Sequence, residues 1–132
     1  MDSINKVYSF LEEAKVFYLA TDEGGQPRVR PYGAMLMFEN KIYIMAFHKT
    51  NATKQIAVNP KAELCAFKGK TLRISCTLIE DNRQAVKDAM TEKMPALKPV
   101  IGEKGENAVM YYLKDATATF FNMMEETESL TF

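Results

Sequence analysis

The residues best suited to chemistry lie in the stretch AFHKTNATKQIAVNP, positions 46–60. Lys49 and Lys54 bring positive charge, and Thr50, Asn51 and Thr53 bring hydrogen-bond donors. Thr50 or Asn51 is a good N-cap for a helix running to Val58, which Asn59-Pro60 then ends. A helix N-terminus presents unpaired N–H groups and a partial positive charge, so it favours anions. These residues together make a monophosphate cradle that is not a P-loop. The same residues also describe a capped helix with solvated lysines, which is the plainer reading of this stretch by itself. A second patch is QPRVRPYG, positions 26–33. Arg28 and Arg30 are two apart, which puts them on one side of an extended strand. There they face a planar anionic ligand or stand as surface arginines.

Other chemistries find no support. His48 is the only histidine, which excludes a His-based metal cluster or a catalytic triad built on a second His. No nucleophile elbow, GxGxxG or GxxxxGK[ST] motif occurs. Cys65 and Cys76 are the only cysteines and lie in apolar, strand-like runs, as reduced core thiols do. Seventeen Lys and Arg balance seventeen Asp and Glu. A chain with no net charge has no broad attraction for nucleic acid or anionic lipid, so any anion site must be local. No apolar run approaches the roughly 20 residues of a membrane span, and the N-terminus has no signal-peptide core. The expectation is a cytoplasmic protein of one domain, residues 1–132, without metal, nucleic-acid or membrane partners.

The elements that must position these residues are short. Ile4, Val7, Tyr8 and Leu11 recur at helical spacing, with Asp2 or Ser3 as the cap. VFYLAT (16–21) is strand-like, and DEGGQP (22–27) is a turn in which Pro27 stops the ladder. RVRPYGAMLMF (28–38) returns as a strand, bent or bulged at Pro31 and Gly33. Glu39-Asn40 turns it into KIYIMAF (41–47). AELCAF (62–67) and LRISCTLI (72–79) form the next pair, with Leu72, Ile74, Cys76 and Leu78 on one face. Asp81 or Asn82 caps a helix to about Met94, with Ala85, Val86, Ala89 and Met90 as its stripe. A loop over 96–108, with room for one helical turn, leads to one or two last strands from 111, and the acidic tail either extends them or frays. Short antiparallel connections argue against a doubly wound sheet and for a small closed antiparallel barrel.

This order of elements, with the helix ending I-A-x-N-P and the strand pair ending R-I-S, resembles the pyridoxamine 5′-phosphate oxidase-like family. The resemblance spans about residues 3–121 and is strongest toward the short general-stress and nitroimidazole-resistance-like members. It implies a mainly β fold, a six-stranded antiparallel split β-barrel with two to three flanking helices. It also implies a homodimer with FMN at the interface, for which Phe120 and Phe121 are candidate contacts. The strand matching Arg28–Met35 would line the isoalloxazine, and the helix start matching Lys49–Gln55 would take the phosphate. The implied cofactor residues are Arg28, Val29, Arg30, Pro31, Tyr32, Met45, Lys49, Thr50, Asn51, Lys54 and Gln55, with either arginine near flavin N1. No catalytic residue is implied.

The departures bear on substrate. True pyridoxamine phosphate oxidases carry lysine where Met35 stands, glutamine where Thr71 falls, and a C-terminal Arg-x-His-x-Arg motif that has no counterpart here. The resemblance therefore implies a different reaction: reduction of FMN by NAD(P)H, then of a small acceptor such as a quinone or nitro compound. The alternatives are a non-catalytic flavin carrier or sensor, and a relative binding F420 or haem.

Overall fold

A computed structural model describes residues 2–132. Eight strands form one antiparallel sheet: β1 (Phe17–Glu23), β2 (Gln26–Tyr32), β3 (Met35–Phe38), β4 (Lys41–Phe47), β5 (Lys61–Lys68), β6 (Lys70–Glu80), β7 (Ala108–Asn122) and β8 (Glu125–Thr131). Helices α1 (Ser3–Ala14), α2 (Asn51–Val58) and α3 (Gln84–Lys93) fill the joints, and a 3₁₀ turn at Pro95–Leu97 leads into the short α4 (Lys98–Ile101).

The local signals act as their chemistry dictates. Asp2 caps α1 by accepting from the Asn5 N–H at 3.1 Å. Glu39 and Asn40, at φ 51° and 59°, close the β3–β4 hairpin in two residues. Gly24 and Gly25, both at positive φ, close the β1–β2 hairpin in the same way. Leu72, Ile74, Cys76 and Leu78 all point into the core.

The strand order β2-β1-β5-β6-β7-β4-β3 leaves the sheet open, with β2 and β3 as its ends. A fully closed barrel is thus replaced by a split one, and the split lies on β7. One edge of this 15-residue strand pairs β6 over 111–121, with one bulge. Its other edge is shared between β4, over 108–112, and β8, over 117–122. Two departures raise the strand count above six. The 28–38 stretch divides at Gly33-Ala34 into β2 and β3, which sit at opposite ends of the sheet. The acidic tail returns as β8, because β7 still has an unpaired edge to offer it.

Pro27 does not stop the β1–β2 ladder. It lies inside β2 opposite Asp22, and Pro31 lies opposite Tyr18. Both are tolerated because β2 is an edge strand, and alternate residues of such a strand turn their nitrogen away from the ladder. Val29 shares that parity, so its N–H and C=O point out from the free edge.

The larger core packs α1 and α2 against the inner faces of β1, β5, β6 and β7 through Val7, Leu11, Phe17, Leu19, Ile56, Leu64 and Ile74. A second core joins Tyr43, Met45 and Met110 of the sheet to Val86 and Met90 of α3 and to Ile101. Ala85 is exposed and Ala89 half-buried, so the α3 stripe is narrower than its sequence suggests. The N-cap of α3 is Arg83, with no side-chain bond. Asp81 and Asn82 are engaged elsewhere: Asp81 accepts from Tyr43 Oη at 2.7 Å and from Arg83 Nη2 at 2.9 Å, and Asn82 Oδ1 accepts from the Met110 N–H at 2.9 Å. Phe120 is buried in the core at 2% exposure, which removes it from any outer surface, whereas Phe121 stays half-buried.

Asp81 ties the β3–β4 hairpin to the start of α3. Arg83 and Tyr43 hold its carboxyl well below the usual carboxylate range, and burial together with Asp81 pushes Tyr43 up to about 12. In the unfolded chain Asp81 titrates near about pH 4. Its folded pKa is lower, so its stabilisation is fully present above about pH 4 and fades as pH falls further. Asp81→Asn is expected to cost most at neutral pH, with the gap to wild type narrowing below about pH 4 in urea denaturation. A gap independent of pH would contradict this.

Candidate functional site

The chain leaves β4 through a tight turn in which Lys49 sits at φ 63°, then enters α2. Thr50 is the N-cap: its hydroxyl accepts from the Thr53 N–H at 3.4 Å and donates to Phe47 O at 2.9 Å. This fixes the helix start against the end of β4. The first-turn N–H groups of a helix have no partner within it, and here that turn faces the inner side of β2. Between them lies an open cleft of about 600 Å³, lined by Glu23, Arg28, Val29, Arg30 and Tyr32 from the hairpin and by Thr50, Asn51, Ala52 and Gln55 from α2.

The structure therefore brings seven of the residues singled out from sequence into one cleft: Arg28, Val29, Arg30, Tyr32, Thr50, Asn51 and Gln55. Four are not among its lining. Pro31 faces the other side of β2. Met45 is 4% exposed in the second core. Lys49 and Lys54 are exposed and point elsewhere.

The two arginines differ. Arg28 forms an exposed ion pair with Glu23 at 2.9 Å, so a carboxylate already stands beside its charge. Arg30 is half-buried and, among the described residues, meets no carboxylate. Its Nη1 donates to Leu19 O at 3.2 Å and to Thr21 Oγ1 at 2.7 Å, and its Nη2 donates to Gln55 Oε1 at 2.7 Å. Thr21 Oγ1 donates to Gln55 Oε1 at 2.6 Å. Gln55 Nε2 donates to Glu23 Oε2 at 3.2 Å. The Arg28 and Gln55 contacts hold the Glu23 carboxyl below its ordinary range. Thr21 drew no notice in the sequence. A lone threonine in a β-branched strand has no local mark, and only the approach of α2 gives it a role.

A second, mostly apolar cavity of about 450 Å³ is lined by Gly33 and Met35, by Glu12 and Lys15 at the end of α1, and by Lys93 and Met94 at the end of α3. Lys93, from the last turn of α3, reaches into its wall and donates to Met35 O at 2.6 Å and Tyr8 Oη at 2.7 Å, with Glu12 at 2.9 Å. Burial opposes the Lys93 charge, but Tyr8 and Glu12 outweigh it and raise the pKa. Burial likewise pushes the Cys76 thiol up to about 12, and both cysteines are free. Among the described residues, no helix is long and apolar enough to cross a membrane.

The chain matches the pyridoxamine 5′-phosphate oxidase family over residues 4–123 and belongs to that family. A NimC/NimA family protein from Clostridium acetobutylicum is 34% identical, with a TM-score of 0.91 over 98% of this chain and 92% of that one. General Stress Protein 26 from Bacillus anthracis shares the fold at 13% identity, with a TM-score of 0.76 over 98% of each chain. A pyridoxamine 5′-phosphate oxidase-related, FMN-binding protein from Nostoc punctiforme shares it at 14% identity, with a TM-score of 0.65 over 98% of this chain and 94% of that one. No curated protein matches the chain by sequence.

The Thr50 cap sets where the cleft's helical wall begins. Thr50→Ala is expected to lower stability by about 1 kcal/mol and to speed hydrogen exchange in the first turns of α2. Unchanged exchange there would show that the cap does not hold this wall.

Proposed function

We propose that the chain is an FMN-binding flavoprotein, working as a homodimer, that accepts electrons from a nicotinamide cofactor and passes them to a small acceptor such as a quinone or nitro compound. One observation carries the reading: the uncancelled guanidinium of Arg30 shares a cleft with the first turn of α2. A cation beside free N–H groups suits a phosphate. The size of the cleft suits a ligand of FMN's class. Tyr32 and the outward backbone groups of Val29 are available to the ring system. FMN, when bound, supplies the electron transfer. The residues of this chain bind the phosphate, hydrogen-bond the ring and shield one side of it from water.

The second cavity offers a place for the acceptor. Its apolar wall suits an aromatic molecule, and the Lys93 ammonium in that wall brings positive charge toward an oxygen on it. Membership of the family and an FMN-binding relative support the cofactor. The outer face of the sheet supports the dimer. Tyr18, Val29 and Phe67 are exposed by 48%, 67% and 69%, and the strand registers put all three on that one face together with Phe121.

Protein as purified, or after adding FMN and filtering, is expected to show the oxidised flavin bands and to scatter light as a dimer at micromolar concentration. Arg30→Ala is expected to weaken FMN by about 10–100-fold, and Arg28→Ala by less than about threefold, because Glu23 already holds Arg28. Fluorescence quenching reads both. Equal losses, or none, would contradict the assignment of Arg30.

A further inference from the structure

We infer that Thr21 and Gln55 form a neutral clamp: they are positioning residues that fix the Arg30 guanidinium while leaving its charge intact for an oxyanion in the cleft. This rests on the flavin reading above, in which that oxyanion is the FMN phosphate. Thr21 and Gln55, exposed by 5% and 6%, are the buried polar side chains of the described residues. A buried polar pair is costly unless every group is satisfied, and two apolar residues would join β1 to α2 without that risk. Arg30 supplies the reason for the pair.

The hydrogen bonds fix the arrangement. Gln55 Oε1 accepts from both Thr21 Oγ1 and Arg30 Nη2, which fills its two lone pairs. Thr21 Oγ1 accepts from Arg30 Nη1 while donating to Gln55. Gln55 Nε2 donates to Glu23, so the amide cannot turn over without losing its partners. The two acceptors lie 2.6 Å apart and each takes a hydrogen from a different terminal nitrogen, as the end edge of a guanidinium offers them. Leu19 O takes the other Nη1 hydrogen. Nε–H and the second Nη2–H have no protein partner among the described residues. They form the side edge of the guanidinium, a fork that matches two oxygens of a phosphate or carboxylate.

The choice of glutamine decides the charge. A glutamate at 55 would keep the contact to Arg30 Nη2 and set a negative charge against the guanidinium, as Glu23 does for Arg28. The Glu23 carboxylate also lines the cleft, but Arg28 and Gln55 both bind it, so it opposes an incoming anion only weakly.

The test compares wild type with Gln55→Glu, Thr21→Val and Thr21→Ser, titrating each with FMN and with riboflavin, which lacks the phosphate. Urea denaturation checks that each variant is folded. Gln55→Glu is expected to raise the FMN dissociation constant at least about tenfold and to move that of riboflavin less than about threefold. Thr21→Val follows the same pattern, and Thr21→Ser, which keeps the hydroxyl, restores FMN binding. FMN affinity unchanged in both Gln55→Glu and Thr21→Val, or equal loss of both ligands, overturns the clamp. If folded wild type binds neither flavin, the flavin reading fails by itself. The clamp is then judged from the nitrogen-15 spectrum of the arginine side chains. Separate, slowly rotating Nη signals for Arg30 that vanish in Thr21→Val and return in Thr21→Ser support it. Arg30 signals averaged by rotation in wild type overturn it.

Discussion

The candidate site depends on one hydrogen bond, from Thr21 on β1 to Gln55 on α2, 2.6 Å long and buried. Leaving either group unpaired in the core would cost about 1–3 kcal/mol, so the helix must sit where the bond can form. That constraint fixes α2 against β1 and aims its first turn at β2. The outer groups of the same pair then capture Arg30. Packing alone, with Ile56 and Leu19 as the local contacts, would hold the helix on the sheet without setting its position along the strand so closely. The polar pair converts a nonspecific apolar contact into a defined one.

Charge is distributed on the same logic. The chain is neutral, and the arginines other than Arg30 are matched by carboxylates: Arg28 with Glu23, Arg73 with Glu63, and Arg83 with Glu39 and Asp81. Exposed pairs of this kind contribute little stability, but they leave few strong local fields. Arg30 differs because its acceptors are a hydroxyl, an amide and a carbonyl. The one guanidinium among the described residues without a carboxylate partner, half-shielded from water and beside a helix N-terminus, gives the proposed site a local preference for an anion. Farther away, β7 serves the same end mechanically. By pairing with three strands, it holds both halves of the split sheet in register, so the β1–β2 hairpin projects as a stable wall.

The sequence revealed what is decided locally. Thr50 caps α2 and Asn59-Pro60 ends it because caps and proline act on adjacent backbone. The hairpin turns at Gly24-Gly25 and Glu39-Asn40 were readable for the same reason. The alternation of Leu72, Ile74, Cys76 and Leu78 placed β6. What depended on distant partners was not readable. Asp81 and Asn82 look like helix caps, yet Tyr43 and Met110 claim their oxygens across the fold. Lys54 carries more obvious charge than Gln55, but the helical turn puts Gln55 in the cleft and Lys54 outside it. Arg28 and Arg30 are indistinguishable by spacing, and only the position of Glu23 separates them. The tail became a strand because β7 had a free edge, a fact of topology rather than of composition.

The most direct measurement is a phosphorus-31 NMR spectrum of FMN mixed with a slight excess of the folded protein. The account expects the FMN resonance to shift and broaden as its phosphate settles between Arg30 and the first turn of α2. A sharp line at the position of free FMN would contradict the central claim, because it would mean that this cleft does not take the phosphate.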